Sequence, residues 1–230
     1  MESKSSKTII DARNLTRTYA LGDSEVIGIN TIDLSIAAGE LVVLKGDSGS
    51  GKSTLLSLLA GLDRPTRGEL TVAGHDLTRA TPANLTHFRR EVVGMVFQAF
   101  NLMPTLNVLE NTSLPGLLAG KKTAAVRSKA TELLDWLGLS RRRGHLPAQL
   151  SGGEMQRTAI ARALINDPDI IIADEPTGNL DSRNGQIVVD LLAELNRKWK
   201  RTVIMATHSS LADSLATIKI HLQDGLISDG

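Results

Sequence analysis

The chain has 230 residues, 41% of them hydrophobic and only 3% aromatic, so a core packed from Val, Ile, Leu and Ala suits it better than an aromatic-rich sandwich. A net charge of +1 creates no field that would make nucleic acid or an anionic membrane surface the main partner, and the lack of cysteine excludes disulfides, zinc-thiolate sites and thiol nucleophiles. Met1 to Thr8 is polar and lacks the apolar stretch of a secretory signal, and no run of about 18 apolar residues is present to span a bilayer.

Along the chain, Ile9 to Leu15, Ile32 to Ile36 and Leu70 to Val72 are short apolar or alternating segments separated by turn residues such as Gly22, Gly39 and Gly68. They predict an antiparallel β layer near the N-terminus. Leu41 to Leu44, Val92 to Phe97, Ile170 to Ala173 and Val203 to Ala206 are nearly all apolar, the pattern of parallel strands buried on both faces. The fold class is therefore α/β, with a mainly parallel central sheet beside that layer.

Gly46-Asp47-Ser48-Gly49-Ser50-Gly51-Lys52-Ser53 fits G-x-x-x-x-G-K-[ST] without a mismatch, follows the strand Leu41 to Leu44 and precedes the helix-like run Ser53 to Ala60. Glycines let the backbone wrap closely enough to aim successive N–H groups at phosphate oxygens. Lys52 adds a point charge on the β and γ phosphates, Ser53 offers a hydroxyl to Mg²⁺, and the following helix adds its positive end. A dinucleotide site is disfavoured, because the glycines do not spell G-x-G-x-x-G and a lysine follows the last one.

From Gln98 to about Ala161 the strand signal disappears, while Ala124 to Leu137 carries apolar residues at helical spacing with Thr123 available as a cap. Residues 98–161 are expected to form a helical lobe inserted in one domain that spans residues 1–230. The chain then returns to a buried strand at Ile170 and to an amphipathic segment, Gln186 to Trp199.

The strand Ile170 to Ala173 ends in Asp174-Glu175, which places two carboxylates at the carboxyl edge of the sheet, the edge that carries the cradle. Asp174 suits a Mg²⁺ role and Glu175 points toward an attacking water; a solvated turn is the alternative for such a pair taken alone, and the cradle upstream disfavours it. Thr207-His208 closes the strand Val203 to Ala206 and brings His208 to the same edge; His75, His87, His145 and His221 have no such placement and are read as structural.

The remaining string is Leu150-Ser151-Gly152-Gly153-Glu154-Met155-Gln156-Arg157. It resembles the signature of ABC ATPases, and the other elements of that family occur in order: Tyr19, the cradle, Gln98, the signature, Asp174-Glu175, Asn179-Leu180-Asp181 and His208. The resemblance covers nearly the whole chain. It implies a P-loop NTPase core with an inserted α-helical subdomain. It further implies that ATP is held by Tyr19, Gly46, Asp47, Ser48, Gly49, Ser50, Gly51, Lys52, Ser53, Thr54 and Gln98, and Mg²⁺ by Ser53, Gln98 and Asp174. Glu175 would polarise the lytic water and His208 would contact the γ-phosphate. Ser151, Gly152, Gly153 and Glu154 would grip the ATP of an opposing copy, with Asp181 reaching across the interface of an ATP-bound homodimer. A hydroxyl and free N–H groups at a helix start form such a second anion site.

Phe97 to Leu106, Glu110-Asn111, Leu114-Pro115 and Ala173 to Asp181 are similar to the lipoprotein-release and macrolide-efflux branch of bacterial ABC ATPases. That likeness implies an integral membrane permease with a large extracytoplasmic domain as partner. It also implies a cytoplasmic position on the inner face of the cell membrane and no role for nucleic acid. Apolar residues after Gln98 would help form a groove for a coupling helix of that partner. Lys45 before the cradle, Met155 in the signature and Ser209 after His208 depart from the family's usual residues, and none removes a group assigned to chemistry. A chromosome-maintenance relative would need a long heptad coiled coil, a translation-factor relative two copies of the motifs, and a GTPase an Asn-Lys-x-Asp string; none is present. A non-transport ATPase that regulates an envelope process through the same kind of subunit remains an alternative.

Overall fold

A computed structural model describes residues 7–22 and 24–228; the polar start falls outside them up to residue 6. The N-terminal layer is a four-stranded antiparallel sheet of order β2-β1-β4-β5, formed by β1 (Thr8–Leu21), β2 (Ser24–Ala37), β4 (Arg67–Val72) and β5 (His75–Asp76). The first two strands run longer than the apolar segments that announced them. Their pairing continues past register shifts, and the left-handed residues Asn14 and Thr31, with φ of 48° and 51°, lie in that irregular stretch.

The central sheet has the order β10-β9-β3-β8-β7-β6. Its parallel strands are β3 (Leu41–Lys45), β6 (Val93–Phe97), β7 (Ile170–Asp174), β8 (Thr202–Ala206) and β9 (Ile218–Gln223), and β10 (Leu226–Ser228) folds back antiparallel on β9. Strand periodicity explains why these strands are apolar throughout. Ile170 and Ile172 enter the core shared with the antiparallel layer, whereas Ile171 and Ala173 point into a second core on the opposite face.

The first core is completed by α1 (Lys52–Leu59) and by Phe88 of α2 (Pro82–Glu91). The second is covered by α5 (Gly152–Leu164) and α6 (Ser182–Trp199), with Val126, Ala130, Leu133 and Leu134 of α4 (Thr123–Trp136). Between β6 and β7 every regular element is helical: α3 (Val108–Leu118), α4, two single-turn 3-10 helices and α5. The last of these runs beyond residue 161 to Leu164, where Ile160, Ala161 and Leu164 pack with Val96 and Ile171 of the sheet.

Thr123 is not the cap of α4. The helical ladder already begins at Lys122, whose carbonyl accepts the Val126 N–H at 3.0 Å, so Lys122 occupies the cap position and Thr123 is the first helical residue. The sequence reading also passed over β9 and β10. Their signal is present: Ile218, Ile220 and Leu222 alternate with polar residues, and Asp224-Gly225, at φ of 49° and 76°, makes the two-residue turn that such hairpins favour.

Among the described residues no helix is long and apolar enough to cross a membrane.

Candidate functional site

β3, β7 and β8 end together at one edge of the central sheet, where a cleft of about 830 Å³ opens. The loop after β3 forms its floor. Gly46 has φ of 142°, and a Cβ there would lie 2.1 Å from the Leu222 carbonyl oxygen; Gly51 has φ of 102°, and a Cβ there would lie 2.3 Å from the Gly28 carbonyl oxygen. Only glycine satisfies both the turn and the close approach of neighbouring backbone. Lys52 Nζ donates to the Gly46 and Asp47 carbonyls at 2.7 and 2.9 Å, which folds its ammonium over the loop.

Ser48, Gly49, Gly51, Lys52, Ser53 and Thr54 line the cleft, while Gly46, Asp47 and Ser50 build the turn behind it. There the Ser50 N–H bonds the Asp47 carbonyl at 3.2 Å and the Ser50 carbonyl accepts the Gly225 N–H at 3.0 Å, which ties the loop to the β9–β10 turn.

The acidic wall comes from β7. Ser53 Oγ donates to Asp174 Oδ1 at 3.3 Å, and Gln98, just past the end of β6, lines the same cleft. Gln98 and Asn179 exchange two bonds, Nε2 to Oδ1 at 3.4 Å and Asn179 Nδ2 to the Gln98 carbonyl at 3.0 Å. Glu175 adopts a left-handed backbone at φ of 45°, unusual for a residue with a side chain. Its own N–H bonds the Ala206 carbonyl at 2.9 Å, and its carboxylate faces His208, with Oε2 accepting the His208 N–H at 3.3 Å and Oε1 lying 3.2 Å from Nε2.

Tyr19 forms the far wall with Val26 and Ile27. One side of its ring carries the Arg17 guanidinium, 4.4 Å from the centroid, and its hydroxyl donates to Asp63 at 3.0 Å; Arg17 Nε reaches the same carboxylate oxygen at 2.7 Å. Burial pushes Asp63 up, but the Arg64 N–H, the Tyr19 hydroxyl and the Arg17 guanidinium outweigh it and hold the carboxyl below its ordinary range. Arg17 and Asp63 were absent from the sequence reading. Arg17 is two residues from Tyr19 on one strand and was findable by strand alternation, but Asp63 comes from beyond α1 and only the fold brings it there.

The signature residues lie outside this cleft. Ser151 caps α5, its exposed side chain accepting the Glu154 N–H at 3.3 Å, and Glu154 Oε2 accepts the Ser151 N–H at 2.8 Å. Glu154 Oε1 also takes Arg142 Nε at 2.7 Å. The Ser151 N–H first, opposed by burial and reinforced by Arg142 and the Ser151 hydroxyl, holds Glu154 below its usual range. Asp181 is a lining residue of the cleft, yet its carboxylate caps α6 through the Asn184 N–H at 2.9 Å and Nδ2 at 2.7 Å, which lowers its pKa. The start of α5 is packed against this cap: a Cβ on Gly153 would lie 2.3 Å from Asn184 Oδ1, and one on Gly152 would lie 3.2 Å from Leu180 Cδ2.

A second groove, of about 520 Å³, runs between α2, β6, α3 and α5 and is lined by Arg89, Arg90, Phe97, Asn101, Pro115 and Leu118 among others. Arg162 holds its wall in shape by donating to the Asn101 carbonyl and, at 2.8 Å, to the Phe100 carbonyl, two residues with left-handed backbones.

Among the described residues no three His, Cys, Asp or Glu side chains cluster as a metal site of their own. The donors gathered at the cleft, the Ser53 hydroxyl, the Asp174 carboxylate and the Gln98 amide oxygen, are hard oxygens. They suit an ion such as Mg²⁺ that keeps part of its water and takes further ligands from a phosphate.

The family model described as "ABC transporter" matches residues 29–178. The macrolide export ATP-binding/permease protein MacB of Rhodopseudomonas palustris is 46% identical over 218 residues, which is 95% of this chain and 33% of that protein. The chain thus spans about a third of the length of that relative. The ABC transporter ATP-binding protein YbbA of Escherichia coli is 47% identical over 202 residues, covering 88% of this chain and 89% of the relative. Among solved structures, an ATP-binding cassette dimer in a post-hydrolysis state with ADP and Pi is 39% identical at a TM-score of 0.89, over 96% of this chain and 97% of that one.

Proposed function

Since this chain belongs to the ABC transporter family, we propose that it binds and hydrolyses ATP between two copies of itself and so drives a separate integral membrane protein. One observation carries the reading. The triphosphate loop, the acidic strand end and His208 converge on a single cleft, whereas Ser151–Glu154, the second anion-binding helix start, stands apart with its serine exposed. A single copy therefore holds two half-sites, and a head-to-tail pair completes both.

In each completed site the N–H groups of residues 48–53 and the Lys52 ammonium bind the β and γ phosphates, and the adenine stacks on the ring of Tyr19. Ser53, Asp174 and Gln98 would hold Mg²⁺, which when bound neutralises phosphate charge. Glu175 takes the proton of the attacking water as its oxygen bonds to the γ-phosphorus; the bond from that phosphorus to the bridging oxygen breaks, and ADP leaves with the electron pair. His208, held against Glu175, contacts the γ-phosphate. Ser151 and the free N–H groups of Gly152 and Gly153 reach the γ-phosphate of the partner copy's ATP, so affinity between the copies depends on that phosphate and hydrolysis releases them.

The likeness to the macrolide-export relatives supports a permease as the driven partner; the resemblance of Phe97 to Leu106 and Ala173 to Asp181 to the lipoprotein-release and macrolide-efflux branch adds that this permease carries a large extracytoplasmic domain and serves efflux or extraction of an envelope substrate. The chain would then sit at the cytoplasmic face of the membrane, with the groove between α2, β6, α3 and α5 receiving a helix of that permease. Glu175→Gln tests the catalytic part: ATP binding persists, turnover falls by about 10²- to 10⁴-fold, and light scattering detects an ATP-trapped dimer. Turnover at the wild-type rate would remove Glu175 from its role. For the partner, gentle solubilisation of membranes followed by identification of the co-purifying protein should return a permease with a large external domain; a DNA-associated complex would reverse the reading.

A further inference from the structure

At the end of β3, immediately before the triphosphate loop, stands Lys45, a largely covered charge whose register neighbour on β9 is His221. The parallel ladder between β3 and β8 ends at the pair Leu44 and Ala206, and one further backbone bond, Thr207 N–H to the Leu44 carbonyl at 3.2 Å, carries it a residue beyond. From there the chain through His208 has left the sheet.

Lys45 bridges the gap with its side chain. Its ammonium donates to the Ser209 carbonyl and pairs with Asp213 Oδ1 at 2.8 Å, with only 21% of the lysine side chain and 36% of the aspartate side chain exposed. The segment also carries its own short bonds, Ser209 N–H to Thr207 Oγ1 at 3.0 Å, Leu211 N–H to Ser209 Oγ at 3.2 Å and Asp213 N–H to the Ser210 carbonyl at 3.0 Å. These give the loop an internal shape; His208 N–H to Glu175 Oε2 at 3.3 Å and the burial of Ala212 in the second core tie its two ends down, and between them Lys45 is the side chain that holds the Ser209 carbonyl. Asp213 and the register neighbour His221 on β9 are the titratable groups beside the ammonium.

We propose that Lys45 is a positioning residue for His208: by clamping Ser209 and Asp213 to the strand that feeds the triphosphate loop, it sets where the imidazole sits over the cleft. This rests on the ATPase reading above. Lys45 itself is not among the residues lining the cleft, whereas His208 and Ser209 are, so its effect is exerted through the loop and not on the nucleotide. An apolar residue of the same length would fill the space but leave the Ser209 carbonyl and the Asp213 carboxylate without their cation.

The test compares Lys45→Met, Lys45→Arg and Asp213→Asn in the full chain. In Lys45→Met, kcat for ATP falls about tenfold while KM stays within about twofold, because a displaced reacting group affects the transition state more than ground-state binding. Lys45→Arg, which keeps a cation with several donors, recovers activity to within about threefold of wild type. Asp213→Asn has a smaller effect that disappears in the Lys45→Met background. In the nucleotide-free protein, the NMR resonances of the His208 imidazole shift in Lys45→Met while those of His87 on α2 stay in place. Unchanged kcat, a rise in KM alone, or an unmoved His208 resonance would each overturn the proposal. A wild-type chain without ATPase activity refutes the ATPase reading instead, and the His208 resonance then still decides whether Lys45 positions the loop.

Discussion

Asn111 is wholly buried in the first turn of α3 and holds the segment that leads there from Gln98. Its Nδ2 donates to the carbonyls of Leu106 at 2.7 Å, Met103 at 3.1 Å and Asn107 at 3.1 Å, and its Oδ1 accepts the Met103 N–H at 2.8 Å. Two of these groups have other partners: the Met103 carbonyl accepts the Leu106 N–H at 3.2 Å, and the Asn107 carbonyl accepts the backbone N–H of Asn111 at 2.8 Å. Asn111→Leu fills the same space and therefore strands two groups, the Leu106 carbonyl and the Met103 N–H. Both bonds are part-buried, so at about 1–3 kcal/mol for each group left unmet the cost falls in the lower half of about 2–6 kcal/mol. Asn111→Ala leaves room for water to meet the same groups and should cost less, about 1–3 kcal/mol. Hydrogen exchange of the 98–107 segment reads this directly. A loss of about 3 kcal/mol against local opening makes the Met103 amide exchange about a hundredfold faster in Asn111→Leu. Wild-type exchange in the leucine variant, or a larger loss in the alanine variant, would refute this account of Asn111.

Three further outcomes follow from the same geometry. Gly51→Ala would force a Cβ to within 2.3 Å of the Gly28 carbonyl at a left-handed φ of 102°, so binding of a fluorescent ATP analogue should fall at least about a hundredfold. Trp136 of α4 and Trp199 of α6, with ring centroids 4.9 Å apart, join the helical stretch to the core. A double-mutant cycle to leucine, followed by urea unfolding, should return a coupling of about 0.5–1.5 kcal/mol, and zero coupling would show that the rings merely lie near one another. Glu154 has its folded pKa depressed below the ordinary 4.5, so its stabilising contribution is complete above that value and is lost as pH falls through the lower folded one. The difference in thermal midpoint between wild type and Glu154→Gln should therefore be constant above pH 4.5 and shrink below it; a difference that grows on acidification would contradict the capping and Arg142 contacts.

Local patterns in the chain determined the glycine-rich loop after β3, the buried strands and the two acidic residues at the end of β7. Each is a run of neighbours whose chemistry is set by spacing alone: glycines where the backbone must turn left-handed, apolar residues where both faces of a strand are covered, carboxylates where such a strand ends. The alternation of Ile218, Ile220 and Leu222 before Asp224-Gly225 was equally local and was overlooked, whereas the cap of α4 turned on a shift of one residue that helix periodicity does not resolve.

Only the tertiary structure decided which distant groups meet. Asp63 reaches Tyr19, Asn179 exchanges bonds with Gln98, Asn111 organises the path into α3, and Lys45 takes hold of the loop that carries His208. It also decided that Ser151–Glu154 stands apart from the cleft of its own chain. The physical reason is that a hydrogen bond or ion pair depends on placement to within a few tenths of an ångström, and that placement comes from how sheets and helices pack over the whole chain. A motif defined by adjacent residues keeps its meaning before any of that packing is known.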